Sequence, residues 1–106
     1  MKKKKISIIG MGFVGFPTAC ILANIKNKKS EYLFEVNGVD KKISKINQFK
    51  LSSKLVYEDK RLNKIINQVI KNKKVNFTNE IESISYSDIV LICVNFDFNK
   101  NNYFEK

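Results

Sequence analysis

No histidine or tryptophan occurs among the 106 residues, proline occurs once, and arginine appears only as Arg61. Without histidine the chain has neither the usual general base near neutral pH nor the commonest metal-binding side chain. The two cysteines, Cys20 and Cys93, stand far apart with no partner spacing. That excludes a zinc ribbon, a CxxC redox pair and a disulfide scaffold, so no metal site is expected and a reducing, cytoplasmic setting is. The length admits one small domain or a piece of a larger one, and 43% hydrophobic residues are a globular share.

Acidic residues are also scarce, ten against twenty basic ones, for a net charge of +10. Such a charge is a general sign of nucleic-acid binding, but nineteen of the twenty are lysine, accompanied by thirteen Asn and fourteen Ile. This mixture reflects an AT-biased coding background. Proteins that read nucleic acid lean on arginine for bidentate contacts. The lysines are spread along the chain rather than interleaved with aromatics, so a solvated surface and no nucleic-acid partner are expected.

Lys2–Lys5 followed by the apolar stretch Ile6–Ala23 imitates a signal peptide and approaches the length of a membrane span. Gly10, Gly12, Gly15 and Pro17 interrupt it, and no leucine precedes Cys20 as a lipoprotein cleavage box would want. The stretch also divides into β-branched Ile6–Ile9 and a segment from Phe13 to Ile25 at helical spacing. Neither export nor a membrane partner is expected.

The glycines sit at that division. Ile6, Ile8 and Ile9 read as a strand buried on both faces, as in a parallel sheet. Gly10-x-Gly12-x-x-Gly15 then matches the dinucleotide-binding fingerprint. Gly10 makes the tight turn, Gly12 lets backbone approach a pyrophosphate, and Gly15 lets the helix lie near the strand. The N–H groups at the helix start suit an anion. Pro17 requires a helix opening near Gly12 or Phe13. Ala19, Leu22, Ala23 and Ile25 would face the sheet, and Asn27–Ser30 would end the helix.

A second strand, Leu33–Val39, ends at Asp40, 25 residues after Gly15. A carboxylate there can accept both hydroxyls of an adenosine ribose and repel a 2′-phosphate, favouring NAD over NADP. Lys41, Lys42 and Lys45 nearby would soften that discrimination. The alternative is that Asp40 only caps the next helix.

Residues 41–50 read as a short helix with Ile43, Ile46 and Phe49 on one side, and 51–59 as a polar connection. Leu62, Ile65, Ile66, Val69 and Ile70 give an amphipathic helix. Val75–Thr78 is a short strand, and Asn79 can cap a brief helix with Ile81 and Ile84 facing inward. Ile89–Val94 is a continuous apolar run, a central parallel strand, with Cys93 as a small buried hydrophobe. The order β-α-β-α-α-β-α-β predicts an α/β fold: a doubly wound parallel sheet of Rossmann type, first half only, in the order 3-2-1-4. Residues 1–98 would form this partial NAD-binding domain, and 99–106 a polar tail at the truncation point.

The whole chain resembles the start of the UDP-glucose/GDP-mannose dehydrogenase family. Gly10-Met11-Gly12-Phe13-Val14-Gly15-Phe16-Pro17 is similar to the family's opening, in which the Phe-Val and Pro positions go beyond the generic fingerprint. Gly38-Val39-Asp40, Lys45-Ile46-Asn47, Tyr57-Glu58, Phe77-Thr78 and Ser87-Asp88-Ile89-Val90 resemble further family segments. Two departures stand out: Asp59-Lys60-Arg61-Leu62 replaces Pro-Gly-Leu, and Val94-Asn95-Phe96-Asp97 replaces Val-(Pro/Asn)-Thr-Pro at the rim nearest the nicotinamide.

The resemblance implies NAD as cofactor, with Gly10, Gly12, Phe13, Val14, Gly15, Asp40 and Lys45 as its binding residues. It implies an enzyme of nucleotide-sugar metabolism and polysaccharide biosynthesis, homo-oligomeric at full length, that oxidises the C6 alcohol of a UDP- or GDP-sugar to the carboxylate. The family's nucleophilic cysteine, catalytic lysine and sugar-nucleotide pocket match nothing here, so no catalytic residue carries over and the chain alone is expected to be inactive. The rivals are another Rossmann NAD(P)-dependent oxidoreductase, of the hydroxyacid or 6-phosphogluconate type, and a non-catalytic dinucleotide-binding fragment.

Overall fold

The computed structural model describes residues 2–42, 44, 46–47 and 57–94. Four parallel strands, β1 (Lys4–Ile9), β2 (Phe34–Val39), β3 (Val75–Thr78) and β4 (Ile89–Ile92), lie in the order β3-β2-β1-β4. Helices α1 (Gly15–Ala23) and α2 (Lys60–Lys71) and a 3₁₀ helix (Ile81–Tyr86) connect them. This is the expected Rossmann-like half-sheet. Ser44, Ile46 and Asn47 are helical, as expected for 41–50, and Ile46 is buried. The other residues from 43 to 56, including Lys45, and the proposed tail at 99–106 lie outside the described residues.

Register decides what each face of the sheet carries. Ile6 stands opposite Val36 and Ile89, Ile8 opposite Gly38 and Leu91, and Val36 and Gly38 opposite Val75 and Phe77. Side chains alternate along a strand, so one face presents Ile6, Ile8, Val36, Val75 and Phe77 together. Phe16, Ala19, Cys20 and Ala23 of α1 and Ile66 and Val69 of α2 close over it as one buried core. The rings of Phe16 and Phe77 stack at 5.9 Å. Fully burying a side chain of this size contributes about 1.5–3 kcal/mol, so this layer dominates the stability.

The opposite face carries a polar row. Asn37 Nδ2 donates to Ser7 Oγ (3.2 Å) and Ser83 Oγ (2.8 Å), and Asn76 Nδ2 donates to Asn37 Oδ1 (2.9 Å). The Ser7 and Ser87 hydroxyls bond to each other. Ser7 is buried, and an unsatisfied hydroxyl there would cost about 1–3 kcal/mol. The 3₁₀ segment is thus tied to the sheet by hydrogen bonds more than by apolar contact.

Several expectations need correction. The helix opens at Gly15 with Val14 as its cap, slightly later than expected, and Pro17 falls in its first turn as required; Phe16 N–H bonds Gly12 C=O (3.1 Å) just ahead of it. The helix also ends early, because α1 stops at Ala23 with Asn24 as cap. Asn27 instead closes a turn, its Oδ1 accepting from Lys29 and Glu31 N–H. The brief helix after β3 is 3₁₀ and is not capped by Asn79; Thr78 Oγ1 accepts the Glu80 N–H (3.1 Å) instead. Ile81 does not face inward but is 48% exposed, while Ile84 is half-buried. As the expected order 3-2-1-4 implies, β4 pairs only with β1 among the described residues, with Ile92 70% exposed, and the strand ends at Ile92 rather than Val94. Cys93 is half-buried and packs against the core.

The departure at Asp59 has a local explanation. Asp59 Oδ1 accepts Arg61 N–H (2.8 Å) and Leu62 N–H (3.3 Å), capping α2 where the family pattern has Pro-Gly. Such a cap contributes about 1 kcal/mol.

Candidate functional site

The carboxyl ends of the strands converge where the sheet order reverses, between β1 and β4. Gly10 leaves β1 with φ +98°, a conformation that only glycine adopts cheaply. A Cβ there would meet the Cys93 carbonyl oxygen at 2.5 Å, and a Cβ on Gly15 would meet the Gly10 carbonyl oxygen at 1.7 Å. Contacts within the chain therefore demand glycine at both positions, and they bring the start of α1 against the end of β1. Gly10 N–H donates to Val39 C=O and Cys93 N–H to Ile9 C=O, each at 2.7 Å, which fixes the turn between its neighbouring strands.

Met11 follows with its side chain buried and its N–H donating to Asp40 Oδ2 (2.8 Å). Asp40 Oδ1 accepts Lys42 N–H (3.0 Å). The carboxylate thus bridges the glycine turn and the chain leaving β2. Val14 flanks α1 without a side-chain cap, and no acidic residue stands in the first turn. The N–H groups of Phe13, Val14 and Gly15 precede the intrahelical ladder that Phe16 opens, so this end carries partial positive charge.

Between these parts lies a cleft of about 500 Å³, a size typical of small-molecule sites. Gly10, Gly12, Asp40, Lys41, Lys42, Asn79, Ile81, Cys93 and Val94 line it, with Ile9 and Val39. Of the residues expected to bind cofactor, Gly10, Gly12 and Asp40 are brought together here. Gly15 is buried behind Gly10 and shapes the turn rather than the lining. Phe13 and Val14 are 85% and 63% exposed at the start of α1 and do not line the cleft. Lys45 and the departure at Phe96-Asp97 lie outside the described residues.

Sequence reasoning missed Asn79, Ile81, Cys93 and Val94 as lining residues. The signal was positional: each follows the carboxyl end of β3 or β4, where open α/β sheets bind ligands. Cys20 lies in the core, where burial pushes its thiol up to about 12 and keeps it protonated. Burial also raises the Tyr57 hydroxyl, with a smaller electrostatic contribution from nearby Cys20. Among the described residues no three His, Cys, Asp or Glu side chains stand together to hold a metal, and no helix is long and apolar enough to cross a membrane.

Comparison with known proteins agrees with this geometry. The chain is 34% identical over 91 residues to UDP-N-acetyl-D-mannosamine dehydrogenase of Methanococcus maripaludis, covering 86% of this chain and 19% of that protein. GDP-mannose dehydrogenase from Pseudomonas aeruginosa superimposes with a TM-score of 0.69 at 28% identity, covering 91% of this chain and 20% of the other. The NDP-N-acetyl-D-galactosaminuronic acid dehydrogenase of Methanosarcina mazei gives 0.68 at 31%, covering 88% and 20%. The chain spans about a fifth of the length of these relatives. Residues 4–105 match the profile of the UDP-glucose/GDP-mannose dehydrogenase family, NAD binding domain, and the chain accordingly belongs to that family, with NAD as the cofactor of this part of it.

Proposed function

We propose that the cleft holds the ADP half of NAD, and that the chain is the dinucleotide-binding part of a nucleotide-sugar dehydrogenase. The observation that carries this reading is the meeting of the Gly10–Gly15 turn, the uncapped start of α1 and Asp40 around one cleft. These residues fit the cofactor chemically. The N–H groups ahead of the α1 ladder suit a pyrophosphate, and Gly12 lets backbone come close to it. Asp40, an acceptor held in orientation by two backbone N–H groups, suits the ribose hydroxyls. Phe13 and Val14, exposed at the start of α1, and Lys45 complete the proposed binding set.

Bound NAD supplies a hydride acceptor, and the parent reaction is oxidation of the C6 alcohol of a UDP- or GDP-sugar to the carboxylate. The described residues contribute binding and orientation. No histidine is present, and the Cys20 thiol is buried and protonated. The nucleotide sugar is the proposed substrate of the full-length protein, as the names of its relatives suggest. The full-length protein is proposed to be a homo-oligomer, as the resemblance to its family suggests. Two free thiols support a cytoplasmic location, and the scattered lysines support no nucleic-acid partner.

Gly12→Val tests the site. Gly12 lines the cleft and its φ is not positive, so valine acts on the ligand rather than on the backbone. NAD affinity measured by calorimetry should fall at least about tenfold. Equal affinities for wild type and variant would remove the cofactor from this cleft.

A further inference from the structure

We propose that the ribose end of the cleft takes a 2′-phosphorylated dinucleotide about as readily as an unphosphorylated one, with Lys41 and Lys42 holding the extra phosphate. This rests on the reading of the cleft as the dinucleotide site. An acid at the end of the second strand selects ribose hydroxyls, whereas a cation nearby accommodates a 2′-phosphate. Here both chemistries occupy one stretch of three residues, and all three line the same cleft.

The local geometry keeps them together. Asp40 Oδ1 accepts the N–H of Lys42, two residues on, so the chain turns back at the rim and both lysines leave beside the carboxylate. Asp40 Oδ2 accepts the Met11 N–H, so both oxygens of the carboxylate already face backbone donors. Both lysines are exposed, and neither ammonium group is in an ion pair among the described residues. The rim therefore sets two cations against one partly compensated anion.

A phosphomonoester brings about −1.5 to −2 charge at neutral pH. It is repelled by Asp40 and attracted by the ammonium groups of the two lysines that line the same cleft. The wider field of a chain with net charge +10 adds to the attraction. The preference for NAD that Asp40 alone would set is offset. Because the lysines are exposed, the offset is screened by salt.

Calorimetric titration of the 106-residue chain with NAD and NADP, at about 50 and about 300 mM NaCl, tests this. At low salt NADP should bind within about tenfold of NAD, and its affinity should fall more steeply as salt rises. The double variant Lys41→Gln/Lys42→Gln should lower the NADP-to-NAD affinity ratio at least about fivefold. Lys28→Gln/Lys29→Gln removes the same charge from the loop before β2, at the other end of the sheet, and should change the ratio less than about twofold. If NAD binds and NADP is more than about tenfold weaker at low salt, the proposal is overturned and the site reading stands. Equal falls in the ratio for both double variants would overturn the assignment to Lys41 and Lys42. Failure of both nucleotides to bind would overturn both readings.

Discussion

The backbone N–H of Met11 donates to Oδ2 of Asp40 across 2.8 Å, joining the glycine turn after β1 to the end of β2. The same carboxylate accepts Lys42 N–H through its other oxygen. Asp40 therefore holds the two sides of the cleft together whether or not a ligand is present. Asp40→Ala should cost about 1–3 kcal/mol of stability, read from urea unfolding, in addition to any loss of dinucleotide affinity. Asp40→Asn keeps one acceptor oxygen and should cost less. Unchanged unfolding midpoints for both variants would mean that the carboxylate has no structural part.

Gly15→Ala should act through packing alone. Its new methyl would lie 1.7 Å from the Gly10 carbonyl oxygen, and that atom is backbone, which cannot swing away. Overpacking a tight contact costs about 1–3 kcal/mol, occasionally more, and this site belongs at or above the upper end. Circular dichroism melts should show a strongly lowered midpoint or no cooperative transition. Gly12→Val should melt close to the wild type, which separates the glycine that packs from the glycine that faces the cleft.

Cys20 supplies a pH signature. Burial raises its thiol from an ordinary 9.0 to about 12, so the unfolded chain loses this proton first as pH rises. A group with a raised folded pKa contributes stability that is fully present below the unfolded value and is lost as pH climbs through the folded one. Between about pH 9 and 12 this thiol should lower stability by up to about 1.4 kcal/mol per pH unit. Cys20→Ala should flatten that part of the pH profile. In the native state at pH 8 a thiol reagent should label Cys93 well before Cys20.

Much of the architecture is written in short periodic patterns. Ile6–Ile9, the glycine spacing and the carboxylate at position 40 identify β1, the turn and the end of β2, because each depends on neighbours a few residues away. The i, i+3, i+4 spacing from Leu62 to Ile70 places α2 in the same way, and Val75–Thr78 emerges with its bounds intact. The misses depend on distant partners. Asn24 rather than Asn27 ends α1 because the loop must turn back so that Lys26 can pair with Tyr32. Ile81 faces outward because Ser83, not an isoleucine, is anchored on Asn37. The cleft adds Asn79, Cys93 and Val94 from just past the ends of β3 and β4, where nothing in the side chains themselves marks a lining position.

The row formed by Ser7, Asn37 and Asn76 also governs which pairings the strands permit. Four short apolar strands offer many alignments of nearly equal hydrophobic merit. Sliding β2 by one residue against β1 would carry Asn37 to the helix-covered face and turn Val36 and Gly38 toward the amides. An amide buried under α1 without these partners would cost more than its bonds return in the native alignment. The three side chains work as an address rather than as glue: they add modestly to the strength of the sheet, and they make one alignment of its strands the acceptable one.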